Sequence, residues 1–174
     1  MLFRSDVIAY DGATDANVLR WRRISRESVR VGRLFVEEFG AGSMRTRVRP
    51  VLAGQFAWSQ QFFESLDFIE RRLGRPRDLL YAIAAAPYYN LGDLDSRTNL
   101  TATEVLNGLT ASERALAAGP QYEALAALTT WYGLDPFLAY EGGPDTFVGN
   151  NVLAKAQAHR DARIRPLMSG AIRR

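Results

Sequence analysis

Apolar residues recur at helical spacing along several stretches of the chain. The runs over 14–39 and 58–73 place their apolar side chains on one face, and a glycine follows each run where a helix would end. The same reasoning predicts a helix over 120–132 and a last helix that runs from Asn150 or Asn151 to residue 168. Helices therefore account for most of the predicted structure.

Two capping-box patterns lie in the middle of the chain. Thr101 is followed three residues later by Glu104, and Thr110 is followed in the same way by Glu113. In this pattern the threonine and the glutamate satisfy each other's free backbone N–H groups at the start of a helix. The sequence therefore predicts two short helices in this region.

Three short apolar runs separate the predicted helices. They are "VLA" at 51–53, "LLYAIAAAP" at 79–87 and "PFLAY" at 136–140. Continuous rather than alternating hydrophobicity is typical of a parallel strand that is covered on both faces. Strands that alternate with helices predict an α/β fold with right-handed crossovers and a parallel sheet.

Polar and aromatic residues follow each predicted strand at its carboxyl end, which is where parallel α/β sheets bind ligands. A carboxylate, amides and aromatic rings suit a carbohydrate, since rings stack on sugar C–H faces and polar groups bond to hydroxyls. Trp58 and Trp131 each lie on or beside a helix, so the sequence favours packing over ligand contact for both. The candidate substrate-binding residues are Gln55, Trp58, Tyr88, Tyr89, Tyr140 and Gly142, beside Glu141.

Composition narrows the classes of function. The chain has 174 residues, 47% of them apolar and 24% charged, and a net charge of +3 from scattered basic residues, which argues against nucleic-acid binding. No apolar run approaches a membrane span, and no nucleotide or cofactor motif occurs. With no cysteine and a single histidine, His159, a metal site is not expected. We interpret His159, Asp93 and Asp95 as solvated side chains, and the composition fixes no compartment.

Several segments together resemble a known family. "RVRPVLAGQ", "AIAAAPYYN", "LAYEGGPDTFVGNN" and "RDARIRPLM" resemble the second half of a retaining (β/α)8-barrel glycoside hydrolase. The likeness is to the bacterial type with "YEGG" after strand seven, and it covers about residues 11–168. It implies one partial TIM-barrel domain over 1–174, which holds strands 5–7 within 14–168, between a leading loop over 1–13 and a tail over 169–174.

The resemblance also implies roles for particular residues. Glu141 matches the nucleophile at the end of strand seven, and Tyr88 or Tyr89 matches a tyrosine that bonds to the nucleophile. Pro144 and Asp145 stand where the family has glutamine and histidine. In the family these positions contact the substrate and do no chemistry, so the difference bears on substrate specificity more than on the class of reaction. No cofactor is implied.

The same comparison implies that a second catalytic group is missing. The family's acid/base glutamate follows an asparagine at the end of strand four, and no Asn-Glu pair precedes the first predicted helix. "LFRS" at residues 2–5 resembles a translated sequencing adapter, which indicates that Met1 is not the biological start. We therefore expect a fragment that is inactive alone and that pairs with the missing half of its barrel or self-associates. The alternative is a non-catalytic carbohydrate-binding or structural barrel domain.

Overall fold

The computed structural model describes residues 9–147 and 149–172. The segment "LFRS" and the last two residues of the predicted tail lie outside this range. The α-helices are α1 (Ala16–Phe39), α2 (Ser59–Arg72), α3 (Pro76–Leu79), α4 (Ala102–Ala117), α5 (Pro120–Trp131), α6 (Val152–Arg160) and α7 (Ile164–Ile172). The strands are β1 (Val51–Gly54), β2 (Ala82–Ala85), β3 (Tyr88–Tyr89), β4 (Leu138–Ala139) and β5 (Gly143–Pro144). Two 3-10 helices cover Ala41–Ser43 and Gly92–Ser96.

The fold is α/β with small parallel strand pairs, which confirms the predicted class at this level. One sheet has the order β1-β2-β4, and β1 and β2 are parallel from Val51 opposite Ala82 to Gly54 opposite Ala85. A second sheet consists of β3 and β5, which are also parallel. The chain divides into two compact units: unit 1 holds residues up to Ala85 and Glu123–Leu138, and unit 2 holds Ala86–Tyr122 and the residues from Ala139 onward. That both belong to one partial-barrel domain stays a prediction.

Unit 1 is built on the packing of α1 and α2 against β1 and β2. All four residues of β2 are buried, as the continuous apolar run predicted. Both residues of β4 are exposed, so the prediction of a covered strand was wrong for the run 136–140. Helix α2 buries Phe62, Leu66 and Ile69 on the predicted face. Asp15 caps α1, because its carboxylate accepts hydrogen bonds from two backbone N–H groups of the first turn.

Helix α1 buries only part of the face that its apolar residues predicted: Trp21 is buried as expected, but most of the other residues of that face are not. Its buried residues are Leu19, Trp21, Ser25, Val29 and Gly32, whereas Ile24, Val31, Leu34 and Phe35 are exposed. Small residues permit a closer approach of the helix: a Cβ atom on Gly32 would lie 3.0 Å from Cγ of Pro50. Close backbone packing here outweighs burial of the bulkier side chains.

Unit 2 has its own apolar core, formed by α4, α6, α7 and β3. Its buried residues include Tyr89, Leu91, Leu100, Val105, Leu106, Leu109, Ala154, Ala158, Ile164 and Leu167. Helix α4 begins with the predicted capping box, in which Thr101 and Glu104 bond to each other's backbone N–H groups. The second predicted box is wrong: Thr110 lies inside α4 and its hydroxyl donates to the carbonyl oxygen of Leu106.

The predicted last helix is interrupted at Asp161. The backbone of Asp161 is extended, at φ −78° and ψ 135°, so α6 ends there. Its carboxylate accepts a hydrogen bond from the backbone N–H of Arg163 at 2.9 Å, just before α7 begins. Aspartate competes with the helix for these backbone groups, which explains why one apolar pattern produces two helices.

The tightest backbone approach in unit 1 occurs at the end of β1 and leads to a prediction. A Cβ atom on Gly54 would lie 2.6 Å from Cζ of Phe62, which is fully buried in α2. Gly54→Ala should therefore reduce the free energy of unfolding by about 1–3 kcal/mol, since the ring has little room to move. Urea unfolding followed by circular dichroism measures this change.

Gly42→Ala is the matched control, because a Cβ atom at Gly42 meets nothing within 4 Å. We expect its effect to stay within about 0.5 kcal/mol. Equal effects of the two substitutions would mean that the Gly54–Phe62 contact does not constrain β1.

Candidate functional site

Glu141 lies at the surface of unit 2, two residues beyond the end of β4. The chain bends at Tyr140 and Glu141 and then enters β5 at Gly143. Strand β5 pairs with β3, so that Gly143 lies opposite Tyr88 and Pro144 opposite Tyr89. The pairing places the residues that follow β4 beside the tyrosines that follow β2.

The hydroxyl of Tyr88 lies beside the carboxylate of Glu141 and can donate a hydrogen bond to it. Desolvation and this contact, together with the negative charges of Glu141 and Asp145, raise the pKa of Tyr88 above its ordinary value. The phenol therefore stays protonated and remains a donor to the carboxylate. Both side chains are exposed, so a ligand in solvent can reach the pair.

Asp145 adds a second carboxylate to the neighbourhood of Tyr88. Its backbone N–H donates to the carbonyl oxygen of Tyr89 at 2.7 Å, which extends the β3–β5 pairing by one residue. The next residue, Thr146, contacts Nε2 of His159 through its hydroxyl. The sequence marked Asp145 only as a departure from a family pattern and His159 as a solvated residue, so both contacts were missed.

Tyr88 and Tyr89 have opposite environments. Tyr89 is 5% exposed and belongs to the core of unit 2, where its hydroxyl donates to the carbonyl oxygen of Leu167 at 3.1 Å. Burial and the charge of Glu113 raise its pKa to about 12. Of the two tyrosines that the sequence offered as partners of Glu141, Tyr88 is the one that contacts the carboxylate. Tyr140, which directly precedes Glu141, is 58% exposed.

Different structural constraints require glycine at each of the two positions after Glu141. A Cβ atom on Gly142 would lie 3.2 Å from three atoms of Pro87, so the backbone passes too close for a side chain to fit easily. Gly143 has φ +116°, a conformation that side chains rarely tolerate. Both glycines hold the turn close to β3 and leave the Glu141 carboxylate uncovered.

The remaining two predicted residues lie in unit 1. Gln55 follows β1 and is exposed, and its backbone N–H donates to Oε1 of Gln61 at 3.1 Å. Trp58 precedes α2 and is 49% exposed. Its ring meets that of Trp21 edge-on, with centroids 6.1 Å apart. That these side chains serve the same ligand as Glu141 stays a prediction.

A buried ion pair links helix α6 to the 3-10 helix that follows β3. Lys155 is 3% exposed, and its Nζ lies 2.7 and 2.9 Å from the two carboxylate oxygens of Asp95. Asn150 donates to the carbonyl oxygen of Asp95, and Asn151 donates to that of Arg97. The interpretation of Asp95 as a solvated loop acid was therefore wrong. The sequence did offer a signal for this ion pair, because Lys155 is the single lysine in an otherwise arginine-rich sequence.

The described part of the chain shows neither a cluster of metal-binding side chains nor a membrane-spanning helix. Within residues 9–147 and 149–172, no cluster of three or more His, Cys, Asp or Glu side chains could hold a metal ion. In the same residues, no helix combines the length and the apolar character that crossing a membrane requires. Searches against protein-family models, curated proteins and solved structures found no match to this chain.

The ion pair leads to a stability prediction. Asp95→Asn removes the carboxylate from a buried ammonium group and should reduce the free energy of unfolding by about 3 kcal/mol. Asp93→Asn, which changes an exposed carboxylate in the same 3-10 helix, should have an effect within about 0.5 kcal/mol. Urea unfolding of both variants measures the difference, and equal values would show that the pair adds nothing to the stability of unit 2.

Tyr89 leads to a prediction about alkaline pH. In the unfolded chain the Tyr89 hydroxyl has its ordinary pKa of 10.0, whereas burial in the folded protein raises that pKa to about 12. The unfolded state therefore binds fewer protons in this interval, so stability falls as the pH rises from about 10 to about 12. Unfolding free energies of wild type and Tyr89→Phe across this interval should diverge, with a shallower fall in the variant. Parallel curves would contradict the assignment to Tyr89.

Proposed function

We propose that unit 2 carries the nucleophile of a retaining glycoside hydrolase, and that the chain is part of a (β/α)8 barrel. The observation that carries this proposal is the contact of Tyr88 with an exposed Glu141 just beyond a strand end. Helices alternating with parallel strand pairs are compatible with a barrel segment. The sequence resemblance to the family with "YEGG" after strand seven supplies the reaction type.

In this mechanism a carboxylate oxygen of Glu141 attacks the anomeric carbon of a glycoside. The bond from that carbon to the leaving oxygen breaks, and the leaving oxygen takes a proton from an acid group. Water then attacks the anomeric carbon of the glycosyl ester, transfers a proton to the same group acting as base, and releases Glu141. Tyr88 orients the carboxylate by donating a hydrogen bond to it.

The acid/base group is the part of the mechanism that Glu141 does not supply. Retaining enzymes place the two carboxyl groups about 5–5.5 Å apart. In our proposal a glutamate from the preceding barrel segment fills this role, so the 174-residue chain alone does not hydrolyse ordinary glycosides. The first chemical step can still proceed with a leaving group that needs no proton.

This property provides a direct test on the chain itself. Dinitrophenyl 2-deoxy-2-fluoro-glycosides carry such a leaving group, and the fluorine slows the second step, so the glycosyl ester accumulates. We expect peptide mass spectrometry to find the fluoroglycosyl group on Glu141 with at least one of the gluco, manno and xylo reagents. Glu141→Gln should lower the labelling rate roughly 10⁴-fold or more, and Tyr88→Phe about 10²-fold.

Asp145→Asn is the matched control, because it changes the other carboxylate near Tyr88 and should leave Glu141 labelled. Labelling that persists in Glu141→Gln, or that moves to Asp145, would remove Glu141 from the role of nucleophile. A complete lack of labelling by all three reagents in a folded chain would overturn the proposal.

The second candidate function is carbohydrate binding without catalysis. It is favoured by two exposed rings: that of Tyr88, which contacts the carboxylate, and that of Tyr140, which directly precedes Glu141 in sequence. Such rings suit sugar faces whether or not a bond is broken. Saccharide binding together with unlabelled Glu141 would favour this candidate over the hydrolase.

A further inference from the structure

Unit 1 contains a groove that is separate from the residues around Glu141. A depression of 360 Å³ lies beside Trp21 and Trp58, and another of 480 Å³ lies beside Phe63 and Trp131. Ser59 and Gln60 line both depressions, so the two adjoin each other. We call this surface the Trp58–Trp131 groove.

The groove has no charged residue among those that line it. This is unusual in a chain in which 24% of residues are charged. A larger cavity of 720 Å³ along α1 shows the contrast, since Arg23, Glu27, Arg47 and Arg49 line it. A charged ligand in the Trp58–Trp131 groove would lose hydration without gaining an ionic partner. The lining therefore selects an uncharged ligand.

Aromatic rings line both depressions of the groove. Phe63 is 50% exposed and Trp131 80% exposed, although the sequence favoured packing for Trp131. Trp58 is supported by the edge-on contact with the buried Trp21, at an interplanar angle of 70°. A ring fixed in this way presents a flat apolar face to a ligand and loses little conformational entropy on binding.

Polar groups accompany the rings. Asn17 and Gln60 carry amides and Ser59 carries a hydroxyl, so each can both donate and accept hydrogen bonds. A purely apolar partner would leave these groups without hydrogen bonds, at a cost in binding free energy. Flat apolar faces edged with amides match a molecule that has C–H faces and peripheral hydroxyls.

We propose that the Trp58–Trp131 groove binds a neutral oligosaccharide. Aromatic rings in both adjoining depressions suit a chain of sugar rings rather than a single ring. This inference rests on the chemistry of the groove and is independent of the role proposed for Glu141. It places Trp58 in a binding surface that is formed by residues of unit 1 alone.

The test is calorimetric titration of the full chain in the Glu141→Gln background, which prevents turnover. The probes are cellohexaose, mannohexaose and xylohexaose, with hexagalacturonate as the charged comparison. We expect one neutral probe at least to bind, and Trp58→Ala and Trp131→Ala each to weaken its binding tenfold or more. Phe35→Ala changes a half-exposed ring beside the charged cavity and should bind like the parent chain.

Trp58→Phe keeps the test valid if an alanine variant fails to fold, because it retains a ring and should retain more affinity than Trp58→Leu.

Four results would each overturn the proposal: no binding of any neutral probe by the folded chain, equal binding of hexagalacturonate, unchanged binding in both tryptophan variants, or self-association of the chain that Trp131→Ala abolishes. Labelling of Glu141 is scored separately, so failure of the nucleophile proposal leaves this result interpretable.

Discussion

The parallel pairing of β3 and β5 is the constraint on which the candidate site depends. Each strand has only two residues, yet their register decides where Tyr88, Tyr89 and Asp145 lie. Because successive side chains of a strand point to opposite sides, Tyr88 reaches Glu141 while Tyr89 enters the core. A shift of the register by one residue would exchange the two environments, and would bury the phenol that now contacts the carboxylate.

Two further contacts maintain this short pairing. Pro87 lies so close to Gly142 that the backbones can approach only without a side chain at that position. On the other side of the strands, Lys155 joins the loop after β3 to the segment after β5 through Asp95. A buried lysine needs a carboxylate partner, so this contact specifies one arrangement of the loops as well as stabilising it.

The helices and the fold class could be predicted from the sequence because they depend on local periodicity. The face that α1 buries could not, since it depends on how closely Gly32 approaches Pro50. Thr101 and Thr110 begin identical capping patterns, yet Thr110 bonds to Leu106 inside a continuous helix. A pattern of four residues does not reveal whether the preceding turn is already helical.

The candidate site could be predicted from the sequence about as far as the fold could. Strand ends pointed to Glu141 and to a tyrosine, but the choice of Tyr88 over Tyr89 depends on strand register, which periodicity does not supply. The pairing of Asp95 with Lys155 joins residues that are 60 positions apart. The exposure of Trp131 follows from the position of α5 in unit 1, and an aromatic residue in a helical pattern is equally typical of a core.

Glu141 directly follows the apolar run 136–140 in sequence, yet its side chain is exposed. Its carboxylate keeps its hydration, because the chain bends at Tyr140 and brings Glu141 to the surface. In water, the hydrogen bond from Tyr88 therefore positions the carboxylate more than it stabilises the fold. A ligand that covered the pair would exclude water, lower the local dielectric and strengthen the same bond. The pair thus needs no buried charge in the free protein, and its electrostatic effect is greatest when a ligand is bound.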